Sequence, residues 1–333
     1  MKKRINLSLA LVLVAYNLFA QGPNGSGTYY KTADGTSGSA LKTALSSIIY
    51  THTALSYNAL WDAFKTTDRR SDGKVWDMYS NITNYVMGGS AQGVNYKKEG
   101  DSYNREHSFP KSWFKEAKPM YTDLQHIVPT DGYVNNRRSN YPFGETNGER
   151  YSSNGGFSKL GASTTTGYSD IVFEPADEYK GDFARIYFYM VTCYENKLSG
   201  WSCDMIDKTK YPAFKTWALN MLLRWAENDP VSQKEVDRNN AVYKLQKNRN
   251  PFIDYPGLEQ YIWGSKKTEV FDYDDYKGTS GINIISDKNR DEAETGTYTL
   301  TGIKLSNKKL SADELRRLPK GIYIINKKKY LVK

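Results

Sequence analysis

The sequence predicts an α+β protein, and three observations carry that reading. Apolar residues recur at helical spacing in two long runs, residues 183–194 and 214–225. Two short strand-like runs followed by a helix sit in one polar block between residues 104 and 141, and the last forty residues alternate as short strands. A hydrophobic share of 39% over 333 residues is enough to build a core for one large or two modest domains. The 27 tyrosines against 12 phenylalanines predict rings half buried with their hydroxyls in water.

The chain opens MKKRINLSLALVLVAYNLFA: cationic Lys2, Lys3 and Arg4, a mostly apolar run, then Ala20. That run is too short to span a bilayer permanently, so residues 1–20 read as a signal peptide and the remainder as a mature chain with no integral membrane segment, secreted or held at the cell surface. Residues 21–38, rich in Gly, Ser, Thr and Tyr, form an extended entry. Leu41, Ala44, Leu45, Ile48 and Ile49 fit one helix, and Ala59, Leu60, Ala63 and Phe64 a second. Residues 74–79 read as a strand and 81–101 as loop. Phe183, Ile186, Tyr187, Met190, Val191 and Tyr194 form a helical stripe with Asp182 placed to cap it; Phe214, Trp217, Ala218, Met221, Leu222 and Trp225 form another. A third helix follows Asp229-Pro230, with Ser232 and Glu235 at capping-box spacing. These stripes read as core. Residues 271–286, rich in Asp, Gly, Ser and Tyr, suit a linker, which leaves residues 21–270 as the main domain and 287–333 as a small β module.

The formal charge of +9 is unevenly placed. The leader carries three of those charges and residues 302–333 eight, leaving residues 21–301 near −2. Net charge therefore argues little for nucleic acid, and any phosphate-binding surface is a local patch. Two cysteines, Cys193 and Cys203, predict a short disulfide in an exported protein. With no histidine near them they are unsuited to zinc.

The polar block carries the chemistry. It holds two of the three histidines: Asn104-Arg105-Glu106-His107-Ser108-Phe109-Pro110, then Asp123 to Asn135 by way of His126, and on to Arg137, Arg138 and Asn140. Strands around residues 106–109 and 124–128, and a helix starting near Thr130, make a β-β-α unit. Adjacent strand residues point to opposite faces, so Glu106 and His107 share one site only if the backbone departs from regular alternation there. Hydrolysis of a phosphodiester needs a base near neutral pH, which makes His107 the candidate. It also gathers negative charge that a hard cation on oxygen ligands stabilises, and Glu106 and Asn135 supply such oxygens. His52, in a polar helical stretch, reads as a solvated residue.

A Glu-His pair alone is commonly an ordinary surface pair. Here it is followed, in order, by Asp-Leu-x-His-x-x-Pro at 123–129, Val-Asn-Asn-x-Arg-Ser-Asn-Tyr-Pro-Phe-Gly-Glu at 134–145 and Asn-Arg-Asn-Pro-Phe-Ile-Asp at 248–254. With these pieces the chain resembles the bacterial endonuclease I family, of the His-Me finger (ββα-metal) class, across roughly residues 43–263. The resemblance implies a His-Me finger core embedded in a largely helical domain, one Mg2+ held by Glu106 and Asn135 with Mn2+ or Ca2+ as substitutes, and His107 activating water. The implied substrate is DNA, and RNA as well, cut with little sequence preference by a monomer. Gln125 stands where many members carry histidine, which gives His126 only a supporting role. The cysteine-rich insertion that brings a transition-state arginine to some members is missing between Trp113 and Asp123, so Arg138 or Lys111 takes that place. Arg105, Lys111, Arg137, Asn140 and Arg249 are the expected nucleic-acid contacts, with Lys115 and Lys118 nearby.

The ending Leu-Pro-Lys-Gly-Ile-Tyr-Ile-Ile-Asn followed by Lys-Lys-Lys-Tyr-Leu-Val-Lys resembles the C-terminal sorting domains of the type IX secretion pathway, which implies a partnership with export machinery. Two rival readings remain at this level: a metal-dependent phosphodiesterase of small substrates, which shares the base and the metal, and a non-catalytic nucleic-acid-binding or adhesion protein, which needs neither.

Overall fold

The structure, a computed structural model, describes residues 22–93, 95–276, 297–299, 304–306, 321–325 and 328–332. The signal peptide expected over residues 1–20 and most of the expected linker lie outside the described residues. In chain order the body contains α1 (Gly38–Ile49), α2 (Leu60–Thr67), β1 (Tyr103–His107), β2 (Ile127–Asp131), α3 (Gly132–Arg138), β3 (Tyr151–Ser152), β4 (Lys159–Ala162) and β5 (Ile171–Glu174). Then come α4 (Asp177–Cys193), α5 (Thr216–Asn228), α6 (Gln233–Gln246), α7 (Pro251–Asp254) and α8 (Leu258–Ile262). The chain is thus a mixture of helices and small antiparallel sheets. It divides into two compact units at residues 281 and 282. In the second, β6 (Thr297–Thr299), β7 (Lys304–Ser306), β8 (Gly321–Ile325) and β9 (Lys328–Val332) make an antiparallel sheet in the order β7-β6-β8-β9.

Helix α4 is the centre of the body. Every residue from Gly181 to Cys193 is buried, and α1, α5 and α7 pack around it. The stripe of α5 turns Trp217, Ala218, Met221, Leu222 and Trp225 into this core, each large side chain worth about 1.5–3 kcal/mol relative to exposure. Gly181 is where α4 meets the turn before α6: an added Cβ would lie 2.0 Å from the Asp229 carbonyl, while the Gly181 N–H donates to Asp229 Oδ2 at 2.8 Å. Asp182 does not cap α4. The helix begins at Asp177, and Asp182 lies inside it, bound to Lys234 at 2.7 Å.

The Ser232–Glu235 capping box forms as its spacing predicts. Glu235 does a second job, taking Arg185 of α4 in a fork at 2.6 and 2.9 Å. Further along α6, Arg238 donates to Asp68 at 2.8 Å and to the carbonyls of Leu124 and Ile127 at 2.7 and 2.9 Å. Gln246 accepts from the Leu124 N–H at 2.6 Å and donates to Asp123 at 2.9 Å. The segment joining β1 to β2 is therefore clamped from one helix by side chains that satisfy its buried backbone groups.

Three further expectations change, and one sheet is new. Residues 74–79 make isolated bridges rather than a strand, because Asp77 Oδ1 accepts from the backbone N–H groups of Tyr79 and Ser80 and folds the chain into a turn. The linker does not begin at residue 271: Phe271 is fully buried, and its backbone exchanges hydrogen bonds with Gly35 and Thr36 at 2.9 and 2.8 Å. Cys193 and Cys203 are free thiols. Cys193 sits at the buried end of α4 with its Sγ donating to the Ile49 carbonyl at 3.6 Å, so its side chain is committed to the α1 side of the core. Finally, the sheet β3-β4-β5 was not foreseen, since its strands of two to four residues carry no readable alternation.

Arg238 is nearly buried and neutralises Asp68, so Arg238→Ala leaves a buried carboxylate and two carbonyls without their donor. It should cost about 3–5 kcal/mol in chemical denaturation. A loss under about 1 kcal/mol would show that the clamp on the β1–β2 segment is not energetic.

Candidate active site

Strands β1 and β2 pair antiparallel, with Glu106 opposite Val128 and His107 opposite Ile127. Helix α3 leaves β2 with no loop. Asp131 makes that possible: its Oδ1 accepts from the Val134 N–H at 2.8 Å as N-cap, and its Oδ2 accepts from Tyr85 Oη at 2.6 Å and the Gly100 N–H at 2.8 Å. At the junction the Gly132 N–H donates to the Ser102 carbonyl, and a Cβ there would meet the Tyr96 ring at 2.5 Å. The hairpin and helix bring Glu106, His107 and Asn135 to the wall of one open cleft of about 470 Å³. His107 is the last residue of β1, so strand alternation ends where the two neighbours must converge.

The His107 ring is 5% exposed and lies stacked near Tyr121 and Tyr57, centroids at 5.3 and 6.2 Å. Its Nε2 bonds the Tyr121 carbonyl at 3.1 Å. A carbonyl can only accept, so Nε2 carries the proton and Nδ1 is the basic nitrogen. Burial, reinforced by the neighbouring His126, pushes the imidazole down to about 3, which keeps it neutral at physiological pH. His126 itself is wholly buried, bonded through Nε2 to the Met120 carbonyl at 2.7 Å. It supports the floor beneath His107 and does not line the cleft.

Glu106 is 3% exposed, and its Oε1 accepts from Tyr79 Oη and from Arg138 Nη1, both at 2.8 Å. Burial pushes its carboxyl up, against the pull of Arg138 and Tyr79. Asn135 donates through Nδ2 to Asn104 Oδ1 at 2.6 Å, which turns its own Oδ1 away from that partner. Among the described residues no three His, Cys, Asp or Glu side chains gather as a metal cluster. The expected ligands Glu106 and Asn135 bring one carboxylate and one amide to the cleft, a pair that suits a magnesium ion keeping most of its waters rather than a fully caged ion.

Two expected roles need correction. Arg138 is fully buried, with Nη1 donating also to the His107 carbonyl at 3.1 Å and Nη2 to the Ser108 carbonyl at 2.7 Å and Tyr187 Oη at 3.3 Å. It underpins the site and is not a free guanidinium aimed at a phosphate. Arg249, expected to contact nucleic acid, is buried in a fork with Asp254, both contacts at 2.6 Å. The other basic candidates stay near the surface. Lys111 lines the cleft and pairs with Glu116 at 2.7 Å, Arg105 lies 3.5 Å over the Tyr57 ring, and Arg137 lies exposed between Tyr133 and Tyr151 at 4.8 and 5.8 Å. Asn140 is an exposed residue of the same cleft. Sequence reasoning missed Tyr57 and Tyr79, which come from loops without motif, and the Tyr121 carbonyl, which comes from a single 3-10 turn at Met120–Thr122. Asp131 was findable as an N-cap ahead of a helical run.

Residues 37–257 match the endonuclease I family. Among curated proteins the chain is 39% identical over 240 residues to an extracellular ribonuclease of Bacillus amyloliquefaciens, covering 71% of this chain and 78% of that one. It is 30% identical over 182 residues to an endonuclease-1 of Buchnera aphidicola, covering 48% and 66%, and 27% identical over 139 residues to a periplasmic deoxyribonuclease of Aeromonas hydrophila, covering 42% and 50%. A match over this length, on a chain that carries its polar residues into one cleft, makes the protein a nuclease and a member of the endonuclease I family.

Proposed function

We propose that this nuclease hydrolyses RNA and DNA with His107 as general base and one Mg2+ held by Glu106 and Asn135, the β1-β2-α3 unit serving as a His-Me finger. The observation that carries the reading is the His107 contact: Nε2 meets a backbone carbonyl, which can only accept, and this leaves Nδ1 as the basic nitrogen on a ring that lines the cleft with Glu106 and Asn135. Nδ1 takes the proton of a water as that water attacks phosphorus and the P–O bond to the leaving oxygen breaks, and that oxygen takes a proton from solvent. The imidazolium so formed keeps its Nε2–H bond to the Tyr121 carbonyl, whose dipole is oriented to stabilise it. Arg138 and Tyr79 fix the Glu106 carboxylate, and Asn104 fixes the Asn135 amide, so both oxygens are positioned before substrate arrives. The ion, when bound, neutralises charge developing on the phosphoryl and leaving oxygens. Lys111, Arg105, Arg137 and Asn140 are the surface groups that remain for phosphate contacts.

Relatives named ribonuclease and deoxyribonuclease support both polymers as substrates, with RNA given more weight than the motifs alone gave it. Relatives named extracellular and periplasmic support export of this chain as well. No helix among the described residues is long and apolar enough to cross a membrane.

Three tests follow from this reading. His107→Ala should lower kcat on plasmid DNA and on RNA about 10²–10⁴-fold while the variant stays folded, and EDTA should stop the wild-type protein. Glu106→Gln and Asn135→Ala should each raise the magnesium concentration needed for half-maximal rate; unchanged magnesium titrations would remove both residues from the ion. The second test is the pH profile. Because the His107 pKa is lowered, its basic form persists as pH falls, so the acid limb of kcat/KM should lie below the ordinary histidine value of about 6.5. A limb at or above that value would count against a buried neutral base. Third, the C-terminal module resembling a sorting domain serves export alone, so a chain ending at Ile284 should cleave DNA and RNA at the full-length rate. If it folds and loses activity, the tail is part of the enzyme.

A further inference from the structure

A second cleft of about 690 Å³ adjoins the catalytic one, and Ser112 and Asn140 belong to both. A strand running out of the catalytic cleft along this side enters it directly. Its aromatic wall is held in place at three points. The Tyr168 ring stacks on Trp217 at 4.3 Å with an interplanar angle of 12°. Tyr168 Oη donates to Asp204 Oδ2 at 2.9 Å, and Trp217 Nε1 donates to the Asp204 carbonyl at 3.2 Å. Trp217 covers one face of the phenol ring, and Tyr168 remains only partly buried. A fixed ring with an available face is what nucleobase stacking requires.

The charges of this cleft point the same way. Its lining includes Asp170 and Asp204 and contains no lysine or arginine. A lining with carboxylates and no cation offers phosphate no partner but accepts hydrogen bonds, so the ligand that suits it is a neutral ring bearing N–H donors. Asp204 is already engaged by Tyr168 and pairs with Lys215 at 3.7 Å, whereas the Asp170 carboxylate makes no hydrogen bond or ion pair with the described residues. Guanine presents two adjacent donors, N1–H and N2–H, to the two oxygens of a carboxylate. Uracil and thymine present one donor between two carbonyls, which a carboxylate disfavours.

We propose that this cleft is a nucleobase subsite for single-stranded substrate, with Tyr168 as the stacking platform and Asp170 as the group that favours guanine over uracil. The subsite rests on the nuclease reading only in that it gives an adjoining nucleotide a place. Phosphate contacts stay with the catalytic cleft, and the base, not the backbone, is held beside it.

The test has a cleavage arm and a binding arm. Single-stranded RNA of balanced composition is digested with magnesium, and the cut sites are mapped. Cleavage next to guanine should exceed cleavage next to uracil by about fivefold or more, and Asp170→Asn, a change at an exposed position, should bring the ratio near one. Tyr168→Ala should raise KM for a short single-stranded RNA about tenfold, the size expected for one lost base stack, and Tyr168→Phe should restore most of it. In EDTA, where no hydrolysis occurs, guanosine should bind the full chain more tightly than uridine, and inorganic phosphate should not compete. An inert wild-type protein that still prefers guanosine would sink the nuclease mechanism and leave the subsite standing. Equal cutting beside guanine and uracil, or a preference that survives Asp170→Asn, would overturn the subsite while leaving the nuclease intact.

Discussion

The buried guanidinium of Arg138 is the constraint on which the site depends. It sits in the last turn of α3 and reaches the Glu106 carboxylate, the carbonyls of His107 and Ser108, and the hydroxyl of Tyr187 on α4. An arginine cannot discard its proton, so burying it is tolerable only if nearly every N–H finds an acceptor and a carboxylate balances the charge. Those demands tie the end of β1, helix α3 and helix α4 into one arrangement. They also resolve the conflict between strand alternation and a shared site. By holding the side chain of Glu106 and the backbone of His107 together, Arg138 fixes the chain where regular alternation stops.

The same chemistry recurs with tyrosine as the donor. Tyr189 and Tyr194 both donate to Asp123, Tyr85 donates to Asp131, Tyr79 to Glu106 and Tyr30 to Asp254, at 2.6–2.8 Å. The abundance of tyrosine suggested rings with hydroxyls in water, yet many of these hydroxyls point inward. Each carries a ring that adds to the core and one donor that meets a buried carboxylate, so the buried carboxylates are hydrogen-bonded even where no cation reaches them. Asp123 shows the effect on the site. With Tyr189, Tyr194 and Gln246 bound to it, it anchors the segment that carries the Tyr121 carbonyl to His107.

What was legible in the sequence was what a short window contains. The α4 and α5 stripes repeat every three or four residues, the α6 capping box spans four, and Glu106, His107 and Asn135 belong to motifs read in one pass. What was not legible depended on partners far along the chain. Arg249 looks like a surface cation until Asp254 and Tyr243 enclose it, and Arg138 like a phosphate ligand until α4 closes over it. Residues 74–79 have the alternation of a strand, but the side chain of Asp77 captures the backbone groups a strand would need. Cys193 and Cys203 are close in sequence and separated in purpose, because the end of α4 directs one thiol into the core against α1.

These corrections change how the protein can hold a polyanion. The body is close to neutral in charge, and the structure withdraws Arg138, Arg185, Arg238 and Arg249 into internal ion pairs. Of the expected contacts, Arg105, Lys111 and Arg137 are left around the cleft, each already lying over an aromatic ring. Three cations release few counterions, so long-range attraction contributes modestly to binding. The short-range features on hand are the Tyr57 ring and the fixed oxygens of Glu106 and Asn135 in the catalytic cleft, and the Tyr168 ring in the adjoining one. That shortage of surface cations arises because the fold uses its arginines for its own cohesion.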